Sequence, residues 1–134
     1  VFSTDPVVIL DGAHNPDGIE ALKYNLLEYF PDKKFVFIVG ILRDKDYRSM
    51  LGQMIPFAEA FVTIEPNNGR ALSAEECAKA IRDAGYAGEI DVSATYSDAT
   101  KKAYSLSKGM HPICAFGSLY SLGELYEKLT KLVD

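Results

Sequence analysis

Neither of the loops that wrap a phosphate chain in backbone amides occurs in these 134 residues: there is no G-x-x-x-x-G-K-[ST] and no G-x-G-x-x-G. Any triphosphate used by this chain must therefore be cradled elsewhere. Cysteine is scarce as well. Cys77 and Cys114 fit no C-x-x-C or metal-ligand spacing, and they read as buried free thiols, one in a helix and one in a strand, rather than as a disulfide. Positive charge is in deficit, with 14 Lys and Arg against 19 Asp and Glu and a net charge of −5. The basic residues are scattered, which argues against a nucleic-acid footprint or a polybasic membrane patch. No apolar run reaches bilayer length, and no basic-then-apolar leader opens the sequence. The expectation is a cytoplasmic protein with neither nucleic acid nor membrane as partner.

What is present is a core: 48% of the residues are hydrophobic, enough for one compact domain over 1–134. The chain opens on Val1 without methionine and meets its first structural unit almost at once, which predicts a piece of a larger protein. That unit is Val7-Val8-Ile9-Leu10-Asp11-Gly12-Ala13-His14-Asn15-Pro16. Four apolar residues suit a strand buried on both faces. Gly12 allows a turn, Asn15 is a good N-cap, Pro16 fits the first helical position, and Asp17 falls in the positive first turn.

The same alternation runs on. Val1–Thr4 predicts a short edge strand, with Asp5-Pro6 as a turn. Ile19, Leu22, Leu26, Leu27 and Phe30 make a helical stripe over 16–30, stopped by Pro31-Asp32. A buried strand is predicted over 35–41, a helix over 47–55 stopped by Pro56, and a strand over 60–64. Ser73 and Glu76 form a capping box opening a third helix that ends at Gly85. A strand over 89–94, a helix capped by Ser97 and ended by Gly109, a fifth strand over 113–116 and a last amphipathic helix from Leu119 to Leu132 complete the series. The fold class is α/β: a Rossmann-like three-layer sandwich with a mostly parallel sheet of five or six strands and helices on both faces. Strand order is left open.

Ligands in open α/β sheets bind beyond the carboxyl ends of the strands. Four polar groups fall there: Asp11 to Asn15, Arg43 to Asp46, Asn67 to Arg70, and Gly117-Ser118. Each has an ordinary alternative, with Asn15 and Ser118 as caps, Asp44 and Asp46 as first-turn acids and Arg70 as a solvated cation. Their coincidence on one rim favours a site. Asp11 can accept both hydroxyl protons of a ribose diol, with Asn15 beside it, and Lys45 or Arg70 can pair with a substrate carboxylate. His14 is a candidate base or orienting donor, whereas His111, before Pro112, reads as structural. Ser118 has no paired histidine and is a poor nucleophile. This is half of an active site.

Asp11-Gly12-Ala13-His14-Asn15-Pro16, Gly40 with Asp44-Lys45-Asp46, Arg70-Ala71, and Phe116-Gly117-Ser118-Leu119-Tyr120 resemble, in order and spacing, the carboxy-terminal domain of folylpolyglutamate synthase and dihydrofolate synthase, of the Mur ligase superfamily. The likeness covers nearly the whole chain. It implies an ATP-dependent ligase that joins L-glutamate to folate or dihydropteroate through an acyl phosphate, with attack by the amine through a tetrahedral intermediate. It also implies a separate central ATPase domain, absent from this sequence, that carries the P-loop and the Mg2+ ligands and packs against this one. By the same resemblance Asp11 contacts the ATP ribose, His14, Lys45 and Ser118 line the incoming glutamate with Arg70 as a further contributor, and no residue here ligates metal. The competing reading is a stand-alone flavodoxin-like or receiver-like module. A receiver wants a phospho-acceptor Asp after the third strand, where this chain has Glu65-Pro66.

Overall fold

The computed structural model describes residues 3–4, 7–117 and 127. The sheet has six strands: β1 (Ser3–Thr4), β2 (Val7–Leu10), β3 (Phe35–Gly40), β4 (Ala58–Thr63), β5 (Glu89–Val92) and β6 (Ile113–Gly117). Their spatial order is β1-β2-β6-β3-β4-β5. All neighbours are parallel except β1, which lies antiparallel on β2 and makes one edge. The last strand in sequence thus occupies the slot between the first two long ones.

Among the described residues four bounded helices follow the strands: α1 (Pro16–Tyr29), α2 (Tyr47–Met54), α3 (Ala74–Asp83) and α4 (Tyr96–Ser107). The chain steps from β2 to β3, β4 and β5 in one direction across the sheet, then turns back to β6. A constant crossover hand must place the returning helix on the other face. The two cores show it. Ile19, Leu22 and Leu26 of α1, Met50, Leu51 and Met54 of α2, and Cys77, Ala80 and Ile81 of α3 pack on Phe35, Phe37, Phe61 and Phe116. Ala99 and Ala103 of α4 belong to the opposite core with Val8, Val36, Ile38, Val62, Ile113 and Ala115. Phe37 is the hub of the first layer, its ring 5.7 Å from Phe35 and 5.5 Å from each of Phe61 and Phe116.

Several expectations need correction. Leu27 is not part of the α1 stripe but is 53% exposed, because it stands about 100° around the helix from buried Leu26. In β2 only Val8 is fully buried. On its outer side β2 is flanked only by the two-residue β1, and a cavity of about 590 Å3 lined by Ile9, Asp11, Leu22, Asn25, Leu26, Tyr29 and Phe30 opens between β2 and α1. α2 does stop just before Pro56, as expected, though the chain then tightens into a 3-10 turn over Ile55–Phe57 that accepts a proline near its start. β4 starts earlier than expected, at Ala58, because a register shift against β3 takes up one extra residue. Thr95, not Ser97, caps α4, its hydroxyl accepting the Asp98 amide at 3.0 Å. The Asp5-Pro6 turn, Ser118 and nearly all of the final helix lie outside the described residues.

Candidate functional site

The parallel register sets Leu10 beside Ala115, Val39 beside Phe116 and Thr63, and Gly40 beside Gly117. The loops after β2, β3, β4 and β6 therefore do leave from one rim. β2 and β3 are separated only by β6, so their ends stand roughly 10 Å apart, twice the ladder spacing.

The loop after β2 is held tightly. The Asp11 amide donates to the Ala115 carbonyl and the Gly117 amide to the Ala13 carbonyl, each at 2.9 Å, clamping both ends of the turn to β6. Asp11 Oδ1 accepts the Ala13 amide at 2.8 Å. Its Oδ2 has no partner among the described residues, which leaves one carboxylate oxygen of a half-buried side chain for a hydroxyl donor. His14 Nδ1 meets the Gly12 carbonyl at 2.8 Å. A carbonyl only accepts, so that nitrogen carries the proton, and Nε2 of the neutral ring keeps its lone pair on an exposed residue. Asn15 Oδ1 accepts the Gly18 amide at 2.8 Å and caps α1. Its amide nitrogen has no partner among the described residues.

The loop after β3 is a run of four charges, Arg43-Asp44-Lys45-Asp46. Three of them have internal partners. Arg43 forks onto Glu76 at 2.9 and 2.7 Å, Asp44 accepts from Arg70 Nη1 at 2.6 Å, and Asp46 caps α2 through the Ser49 amide at 3.4 Å. Among the described residues half-buried Lys45 has no ion-pair partner. Asp44 and Asp46 thus differ from the ordinary alternative of first-turn acids: one neutralises an arginine and the other is the cap itself. Arg70, expected as a possible carboxylate binder, is held on Asp44.

The loops after β3 and β4 are also tied backbone to backbone. The Arg43 amide donates to the Arg70 carbonyl at 2.6 Å, the Leu72 amide to the Ile41 carbonyl at 2.9 Å, and Leu42 and Ala71 form an antiparallel bridge. Glu76 completes its capping box by accepting the Ser73 amide at 3.1 Å while its own amide donates to Ser73 Oγ at 3.0 Å. The Arg43 guanidinium, with the Ser73 hydrogen bonds, holds the Glu76 carboxyl down to about 2. The Arg43–Glu76 pair escaped sequence reasoning because its members are 33 positions apart and nothing local couples them.

Three further titratable groups, Cys77, Cys114 and His111, are structural. Burial pushes the Cys77 thiol up to about 12, and burial with the nearby Asp11 charge pushes Cys114 up too, so both are inert free thiols as expected. His111 Nε2 lies 3.7 Å from Glu59, and its carbonyl accepts Ser107 Oγ at 2.6 Å, a structural place as expected. Among the described residues no three of His, Cys, Asp and Glu stand close enough to hold a metal ion.

Residues 1–119 match the family described as Mur ligase, glutamate ligase domain. This chain belongs to that family. As a Mur ligase glutamate ligase domain, it is 30% identical over 131 residues to a probable bifunctional folylpolyglutamate synthase/dihydropteroate synthase of Halobacterium salinarum, covering 98% of this chain and 16% of that one. It is 31% identical over 101 residues to a dihydrofolate synthase/folylpolyglutamate synthase of Mycobacterium tuberculosis, covering 75% of this chain and 21% of the relative. A solved Mycobacterium tuberculosis folylpolyglutamate synthase complexed with ADP superposes with a TM-score of 0.85 at 27% identity, covering 92% of this chain and 30% of that one. The Mur ligase domain thus spans less than a third of each of these proteins. Membership removes the flavodoxin-like or receiver-like reading. Among the described residues no helix is long and apolar enough to cross a membrane.

Proposed function

We propose that this chain is the glutamate-binding carboxy-terminal domain of a cytoplasmic, ATP-dependent ligase that adds L-glutamate to folate, dihydropteroate or both, and that it works packed against a central ATPase domain of the same protein. The observation that carries this reading is the uneven pairing at the rim. Among the described residues Arg43, Asp44 and Asp46 each have an internal partner and Lys45 has none, and its loop leaves the same rim as the turn that carries Asp11 and His14.

ATP supplies the phosphoryl group that activates the carboxylate of the folate substrate. What this chain contributes is binding and orientation. Asp11 Oδ2 suits a ribose hydroxyl, with the Asn15 amide nitrogen beside it. Lys45 suits a carboxylate of glutamate, and Ser118, next after Gly117, is assigned to the same pocket from the sequence alone. Arg70 contributes indirectly: by neutralising Asp44 it keeps that carboxylate from competing for the lysine. His14 Nε2 suits the role of a group that accepts a proton from, or orients, the glutamate amine as it attacks. The family resemblance puts the Mg2+ ligands in the central domain, and no step is assigned to a metal here.

In the full-length ligase, Asp11→Ala should raise KM for ATP and Lys45→Ala should raise KM for glutamate. Each effect should be roughly tenfold or more, since a hydrogen bond to a charged group is worth about 1.5–3 kcal/mol. His14→Ala should lower kcat. Steady-state ADP release with each substrate varied in turn measures all three. Unchanged constants for both Asp11→Ala and Lys45→Ala in folded protein would sink the assignment.

A further inference from the structure

We infer that Arg43 and Glu76 form a positioning pair that holds Lys45 ready for the incoming glutamate. This rests on the proposed glutamate role of Lys45. Arg43 is exposed, and its guanidinium is engaged by Glu76 of α3. Its guanidinium grips Glu76 with two bonds, at 2.9 and 2.7 Å. Glu76 is anchored in turn, as the third residue of α3, locked by a reciprocal capping box with Ser73.

Lys45 sits two residues further along, in a turn pinned at its own backbone. Its amide donates to the Leu42 carbonyl at 3.2 Å, and its carbonyl accepts the Tyr47 amide at 2.8 Å. The loop is therefore fastened to α3 at Arg43, to the β4–α3 loop through Arg70, and to α2 through the Asp46 cap. A cation that binds a carboxylate gains affinity when its backbone is ordered before the ligand arrives, because the ordering entropy is then not charged to binding. A fork of two parallel bonds suits this task, since it fixes orientation as well as distance.

The prediction is a selective defect. In the full-length ligase, Arg43→Ala and Glu76→Gln should each raise KM for glutamate about two- to tenfold, the range expected for re-ordering a loop side chain on binding, with kcat and KM for ATP unchanged. Arg43→Lys keeps the charge and loses the fork, and it should fall between wild type and Arg43→Ala. Glu76→Gln retains an oxygen able to accept the Ser73 amide, so its melting temperature should stay near wild type. Ser73→Ala is the control. It removes the hydroxyl cap of α3 and leaves Arg43–Glu76 in place, so it should lower the melting temperature without changing KM for glutamate.

Two results would overturn the inference. If Ser73→Ala raises KM for glutamate as much as Arg43→Ala does, the pair acts only through the stability of α3. If Lys45→Ala raises that constant while Arg43→Ala and Glu76→Gln do not, Lys45 needs no positioning. Should Lys45→Ala itself leave glutamate unaffected, the underlying pocket assignment fails first, and this inference goes with it.

Discussion

Gly117 ends β6 with φ at +118°, and a Cβ placed on it would collide with the Gly40 carbonyl oxygen. Backbone strain and collision both forbid a side chain there, and the close approach is what lets β3 and β6 deliver their loops to one rim. Gly52, inside α2, meets nothing within 4 Å of an added Cβ and has no such reason to be glycine. Gly117→Ala should therefore cost about 3 kcal/mol or more, whereas Gly52→Ala should stabilise by about 0.5–1 kcal/mol through helix propensity. Denaturant midpoints of the two variants check both signs. Sequence alone marks both residues as glycine and cannot tell them apart, because the neighbour that matters to Gly117 belongs to a strand far away in the chain. Asp11, His14 and Lys45 were legible for the opposite reason: a residue just past a buried apolar run lies at the rim whatever the strand order. The pairing of Arg70 with Asp44 was not legible, since it depends on two loops meeting.

At the scale of elements, α3 shows how much a local pattern can specify. The Ser73–Glu76 box is written within four consecutive residues, and it formed as expected. Ser73→Ala should cost about 1 kcal/mol, measured by chemical denaturation at neutral pH. Acid should act on the same end of the helix. The Glu76 carboxyl titrates near 2 when folded against an ordinary 4.5, so its contribution is complete above about 4.5 and is lost as pH falls toward 2. The pair is exposed, so salt should blunt this acid loss. The start of α4 was less readable. Thr95 and Ser97 both offer a hydroxyl before a helix, and only the Asp98 amide, three residues beyond Thr95, decides between them. Element types followed from apolar periodicity, while ends and partial burial depended on neighbours, as the exposed Leu27 and the open flank of β2 show.

For the whole molecule, the decisive feature is the seat of β6. Right-handed α/β alternation predicted the layers but not this order, because periodicity says nothing about which gap a returning strand fills. Until residues 113–117 arrive, β2 and β3 have no ladder between them, and β1-β2 is joined to the rest only through α1 and its packing. The sheet is thus closed from the inside by the last of the described strands, which is a pairing of large sequence separation and hence slow to form. In pulsed hydrogen exchange during refolding, amides shared by β3 and β4 should gain protection before those of β6 with β2. Protection of the β2–β6 ladder first would contradict that order. On a ribosome the consequence is one of timing: the Asp11 turn, made before β3, β4 and β5, stays unclamped until Ala115 and Gly117 emerge to bind it. A partly made chain can hold every residue of that turn and still have no formed rim.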